Sequence, residues 1–221
     1  PIEELAAVAR ENNCWYHVDA AYGGPLAFSS KNKAKLRGIE LADSITFDPH
    51  KWMFVPFSCG AVLAREGGRV LRESFDMTPE YLNEDRGGAD VEFDFFRYGQ
   101  MGTRRVNSLK LWMAIKFMGR EGYARTVERQ IDLTHYLASR IDKLPDFERV
   151  GEVETAVCCF RHKSGSDQRI QQTIEREGEV WLTTTVLQGK RALRVNINSF
   201  LTEQHHVDQL VTQIEKAAAA I

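Results

Sequence analysis

No apolar run in the 221 residues approaches the length of a membrane-spanning helix, and no signal-peptide pattern opens the chain. Charge is nearly balanced, 29 Lys and Arg against 31 Asp and Glu for a net of −2, so nothing attracts nucleic acid or an anionic membrane. Cysteine is sparse. Cys14, Cys59, Cys158 and Cys159 show no paired metal-ligand spacing. Cys158 and Cys159 are adjacent on an apolar run, where a strand would point them to opposite faces as reduced packing residues. Internal repeats are absent too. What remains is an ordinary globular protein of one large or two small domains, expected in the cytoplasm.

Pro1 opens directly on a helical stripe of Ile2, Leu5, Ala6, Val8 and Ala9, which reads as a chain entered partway through a domain. The spacing predicts helix over 2–12, strand over 14–18, helix at about 31–38 and strand over 44–47, the alternation of a parallel α/β sheet. A further strand is expected at 60–64 and a short helical turn at 67–73. Periodicity is lost over 78–98, where a closing lid and a simple mobile excursion are both compatible with the polar composition. Helices return over 105–118, carried by Leu109, Trp112 and Met113, and over 120–143, with Tyr123, Val127, Ile131, Leu133 and Leu137 spaced for one face. After Pro145 come strands at 155–160, 179–186 and 192–197, with helices at 167–177 and 203–220. Two domains follow, 1–119 and 120–221, the second a connecting helix and a small, mainly antiparallel α+β unit.

The chemistry centres on Phe47-Asp48-Pro49-His50-Lys51-Trp52. Pro49 fixes its own φ and keeps Asp48 out of helical geometry, so Lys51 is presented from a restricted turn after a strand. Strand ends are where α/β proteins keep their ligands. A lysine partly removed from water loses proton affinity and becomes an amine nucleophile. The alternative is a lysine whose stem lies over Trp52.

Upstream, His17-Val18-Asp19-Ala20-Ala21-Tyr22-Gly23-Gly24 puts a carboxylate at the end of a strand that reads as buried. Asp19 is either a turn cap satisfied by backbone amides or a carboxylate aimed at a cation. A carboxylate and a lysine at the carboxyl ends of neighbouring strands suit pyridoxal phosphate. The lysine can hold its aldehyde, the aspartate can keep the ring nitrogen protonated, and the ring is then an electron sink. Ala21 leaves room for a flat ring. A metal hydrolase built on His17, Asp19 and His50 has the residue types but not the customary helical ligand spacing.

These motifs, with Ala42-Asp43-Ser44 and Ser108-Leu109-Lys110-Leu111-Trp112, resemble the pyridoxal-phosphate-dependent group II amino-acid decarboxylases along roughly the whole chain. The resemblance implies an aspartate-aminotransferase-like α/β fold (fold type I), a homodimer and decarboxylation of an L-amino acid to its amine. It implies Lys51 as the lysine of the internal aldimine, Asp19 on the pyridinium nitrogen, Ala21 beside the ring, and His50 near the cofactor phosphate and the aldimine. Asp48 stands where the better-known animal enzymes carry an asparagine that helps hold phosphate. Tyr81, in Thr78-Pro79-Glu80-Tyr81-Leu82, matches the mobile-loop tyrosine that protonates the quinonoid carbon from the partner subunit; its other reading is an exposed loop tyrosine.

The family's ring-stacking histidine and Ser/Thr-rich phosphate segment lie well upstream of the Asp19 motif, so the expectation is a carboxy-terminal part of a longer polypeptide. No metal is expected. A transaminase or lyase on the same cofactor, or a non-catalytic fragment, are the alternatives. Gly102-Thr103-Arg104-Arg105 is either an anion site or a salt-bridged helix start, and His205-His206 is expected at the solvated surface.

Overall fold

The structure, a computed structural model, describes residues 1–77 and 94–221. It divides into two compact units, Pro1–Gly24 with Lys33–Gly119, and Pro25–Asn32 with Arg120–Ile221. Tyr81 lies outside the described residues.

In the first unit α1 (Ile2–Glu11) buries Ala6, while Leu5 and Val8 stay exposed, so the expected apolar stripe is only partly covered. A three-stranded sheet follows in the order β1 (His17–Asp19), β2 (Ser44–Phe47), β3 (Ala61–Ala64). β1 and β2 are parallel, pairing His17 with Ser44, Val18 with Ile45 and Asp19 with Thr46. The crossover between them is not the α-helix expected near 31–38. It contains three 3-10 turns, Gly24–Phe28, Lys33–Leu36 and Ile39–Leu41. The run between Asn32 and Gly38 is too short to offset the cost of nucleating an α-helix.

Strand β1 is shorter than expected and omits Cys14–Tyr16; it is also exposed at His17 and Asp19 rather than buried. β3 runs antiparallel to β2, from Ser44 opposite Ala64 to Phe47 opposite Ala61, so the sheet is mixed rather than wholly parallel. The reason is local: no helix intervenes between Phe47 and Ala61, and a parallel return needs a long crossover. After β3 comes α2 (Arg69–Phe75). The long helix α3 (Asn107–Ile141) is interrupted at Gly119 (φ 64°, ψ 173°), which divides it where two helices were expected to meet.

The second unit holds a four-stranded antiparallel sheet of order β4 (Phe147–Arg149), β5 (Val157–His162), β7 (Lys190–Asn196), β6 (Thr183–Leu187). β4 had no sequence signal beyond a single phenylalanine. β5 alternates, with Cys158 and Phe160 buried between less buried neighbours. β6 and β7 join through Gln188-Gly189, both at positive φ (53° and 72°), the two-residue hairpin turn whose twist suits the strands. α4 (Asp167–Glu177) packs on β6 and β7 and buries Ile170 and Ile174, and α5 (Gln204–Ala219), against α4, buries Val207, Leu210, Val211, Ile214 and Ala217.

The stripe of α3 beyond Gly119 includes Tyr123, Val127, Ile131, Leu137 and Ile141; Thr134 rather than Leu133 completes it, its hydroxyl donating to Gln130 O at 2.8 Å. Residues 25–32 join this unit because Phe28 stacks on Tyr123 at 5.0 Å and buried Ser29 donates to Glu128 at 2.8 Å. That bond is the main reason the Glu128 carboxyl lies below its usual range. His205 and His206 are exposed as expected, and His206 additionally closes a capping box with Glu203 at the start of α5.

All four cysteines are free, Cys14 exposed and Cys59 and Cys158 buried. Burial, reinforced by the neighbouring Cys159, pushes the Cys158 thiol up to about 12. Because the thiolate is the nucleophile, iodoacetamide at pH 8 should modify Cys14 in the native chain and reach Cys158 only on unfolding. Peptide mass spectrometry reads the order, and equal labelling of the two would contradict the burial of β5.

Candidate active site

The parallel pairing of β1 with β2 continues past both strand ends. Ala20 N donates to Thr46 O at 2.8 Å, and Asp48 N donates to Ala21 O at 3.1 Å. The Asp19–Ala21 segment therefore lies alongside the turn that carries Asp48, His50 and Lys51, at the carboxyl ends of two parallel strands. Pro49 starts that turn; Lys51 N donates back to Asp48 O at 2.9 Å and Val55 N to Pro49 O at 3.1 Å.

Lys51 extends its ammonium to Asp48, with Nζ 2.9 Å from Oδ2, and its side chain remains 44% exposed. The lysine is thus held by charge. Trp52 is 0% exposed and stacks on Tyr22 with ring centroids 4.8 Å apart and planes 3° from parallel. This contact ties the residue after the lysine to the residue after Ala21.

The Asp48 carboxylate sits in a narrow place. A Cβ at Gly60 would stand 3.0 Å from its Oδ1, so glycine there lets the loop come close. His50 Nε2 is 4.0 Å from Asp48 Oδ2. Its Nδ1 is 2.6 Å from the Cys59 carbonyl and 3.2 Å from the Cys59 N–H; a proton on Nδ1 donates to the carbonyl, the shorter contact, whereas a bare Nδ1 accepts from the amide.

Asp19 realises its turn-cap reading, its Oδ1 accepting the Ala21 N–H at 2.9 Å, while the residue stays exposed. His17 lies on the same face and is engaged at both ring nitrogens, by Ser44 Oγ at 2.8 Å and Thr46 Oγ1 at 3.2 Å. Among the described residues no group of three or more His, Cys, Asp or Glu side chains gathers as metal ligands. In Gly102–Arg105, Arg104 donates to Phe95 O at 2.6 Å.

Two contributors were not singled out from sequence. Cys59 grips the His50 ring through its backbone, which no side-chain pattern announces. Lys110 donates to Pro56 O and Ser58 O at 2.9 and 3.0 Å; its only signal was membership of the Ser108–Trp112 motif. Burial raises the Cys59 thiol, with Lys110 pulling it down and Asp48 adding to the rise.

The stacked Tyr22–Trp52 pair gives a direct test of what supports the turn. Trp52→Ala should lower stability by about 3–5 kcal/mol, and Trp52→Phe by clearly less, as read from urea midpoints. Equal losses would show that the ring contact is not what matters.

The protein-family model described as the pyridoxal-dependent decarboxylase conserved domain matches residues 1–163. An aromatic-L-amino-acid decarboxylase of Bacillus atrophaeus is 29% identical over 231 residues, covering 100% of this chain and 48% of that protein. An acidic amino acid decarboxylase of Xenopus tropicalis is 34% identical over 160 residues, covering 72% of this chain and 31% of that protein. Among solved structures, that of Oryza sativa TDC with PLP and tryptamine superposes with a TM-score of 0.91 at 26% identity, covering 100% of this chain and 47% of that one. The fold is that of the fold type I pyridoxal enzymes. The chain spans about half the length of the curated relatives it matches. With the family match running through β1, β2 and the Lys51 turn, the chain belongs to the pyridoxal-dependent decarboxylase family.

Proposed function

We propose that this chain supplies the lysine side of a pyridoxal-phosphate site that decarboxylates an L-amino acid to its amine and carbon dioxide. The observation that carries this reading is the meeting of a charge-held amine, Lys51, with the Asp19–Ala21 segment at the ends of parallel β1 and β2. The donor set suits the cofactor: a primary amine for an aldehyde, an exposed carboxylate for a ring nitrogen, and a small residue beside it. When bound, pyridoxal phosphate supplies the sink for the electrons of the breaking bond between Cα and the carboxylate.

Lys51 presents the amine that holds the cofactor. Asp19 keeps a proton at the ring nitrogen, its Oδ1 oriented by the Ala21 amide. Ala21 leaves the ring's edge clear. His50 would lie near the Lys51 amine and the phosphate, its Nδ1 held at the Cys59 backbone. Asp48 orients the free Lys51 amine, its Oδ2 2.9 Å from Nζ; beside a phosphate its charge would be unfavourable unless a backbone amide or cation intervenes. Tyr81 of the partner subunit, or a water, would supply the proton at Cα.

The division into a cofactor-binding part, 1–119, and a connecting helix with a small domain, 120–221, is supported by the compact units that change at Gly119, with Pro25–Asn32 as the exception. A homodimer is supported by the apolar residues that the first half of α3 leaves exposed, Leu109, Trp112, Met113 and Phe117. A cytoplasmic setting is in keeping with the free cysteines and with the lack, among the described residues, of a helix long and apolar enough to cross a membrane.

The test is a screen of the complete polypeptide with pyridoxal phosphate against common amino acids, reading amine product and released carbon dioxide. Lys51→Ala should abolish both the visible absorbance of the bound cofactor and the turnover. Turnover retained in that variant would remove Lys51 from its role, and amine-group exchange without carbon dioxide would replace the decarboxylase reading by a transaminase.

A further inference from the structure

The loop from Trp52 to Gly60 returns from the Lys51 turn to β3 and holds His50 through one residue. The Cys59 carbonyl takes both the His50 backbone N–H, at 3.2 Å, and the ring Nδ1, at 2.6 Å. Side-chain support for Cys59 comes from the first turn of α3. Lys110 Nζ is shared between the carbonyls of Pro56 and Ser58, and the Cys59 thiol is 3.7 Å from Asn107 O. An ammonium has three N–H groups and a full charge, so its two carbonyl contacts are charge-assisted and stronger than neutral ones.

The chain of contacts runs in one direction: Lys110 to the Pro56 and Ser58 carbonyls that precede Cys59, Cys59 to the His50 ring, and His50 Nε2 towards Asp48, which holds Lys51. The positive charge of Lys110 also pulls down the Cys59 thiol, against the larger rise from burial.

We infer that Lys110 is a positioning residue for the Lys51 site: by clamping the 56–58 backbone it fixes Cys59, and through Cys59 the orientation and Nδ1-protonated tautomer of His50. The described hydrogen bonds of Lys110 go to backbone carbonyls. Its effect reaches the reaction only through the imidazole, so it should alter turnover more than substrate binding. The inference rests on the reading of His50 and Lys51 as parts of the cofactor site.

The experiment uses the complete polypeptide with pyridoxal phosphate and 15N-labelled histidine, with the His50 signal assigned by its loss in His50→Gln. In the unsubstituted enzyme His50 should carry its proton on Nδ1. Lys110→Met should mix the tautomers and lower kcat by roughly tenfold or more with KM little changed. Lys110→Arg, which keeps charge and donors, should recover most of both.

In a His50→Gln background Lys110→Met should add no more than about a twofold loss, because the pathway is already cut. Three results would overturn the inference: an Nε2-protonated His50 in the unsubstituted enzyme, an unchanged tautomer in Lys110→Met, or the full loss persisting without His50. Should Lys110→Met fail to fold by circular dichroism, the unsubstituted tautomer and the Lys110→Arg comparison still decide. The tautomer is read without turnover, so failure of the decarboxylase reading is distinguishable from failure of this one.

Discussion

The parallel pairing of β1 with β2 is the constraint on which the site depends. Its last bonds, Ala20 N to Thr46 O and Asp48 N to Ala21 O, lie beyond the strands themselves and fasten one loop to the other. Parallel strands start their connections from the same end of a sheet, so two loops that are 27 residues apart in the chain, Ala21 and Asp48 being the bonded pair, meet at one edge. An antiparallel β1–β2 pair would have put Asp19 and Lys51 at opposite ends. The chemistry proposed for the chain needs an amine and a carboxylate on one side, and this pairing supplies it.

Around that pairing the structure fixes the lysine turn from three directions. Stacking of Trp52 on Tyr22 anchors its back, the Asp48 carboxylate holds the ammonium, and the loop to β3 grips His50 through a backbone carbonyl. Each is of a different physical kind: burial of aromatic surface, an ion pair, and hydrogen bonding to a main-chain group. Only the first depends strongly on exclusion of water. The Asp48–Lys51 pair is partly solvated and should be worth little to stability; its value is orientation.

The second unit shows how a local signal and a tertiary one divide the labour. The helix Asp167–Glu177 was legible to the residue, because apolar Ile170 and Ile174 stand one turn apart between a Ser-Gly-Ser segment and Gly178. The strand Phe147–Arg149 was not, since three residues carry no period and the segment becomes a strand only by pairing with β5. The crossover at 31–38 failed in the opposite sense: it has helix-forming residues, but too few to propagate a helix.

By itself the sequence determined the residue types of the candidate site, their order along the chain and the family to which those motifs point. Lys51, His50, Asp48, Asp19 and Ala21 were identifiable because a proline-restricted turn after a strand and a carboxylate at the end of another are local patterns. What only tertiary structure decided is what those side chains touch. That Trp52 faces Tyr22, that Lys51 reaches Asp48, and that Lys110, some fifty residues downstream of the loop, clasps two of its carbonyls are long-range contacts. The acceptors in the last case are backbone groups, which every residue carries, so no choice of amino acid at Pro56, Ser58 or Cys59 could have advertised them.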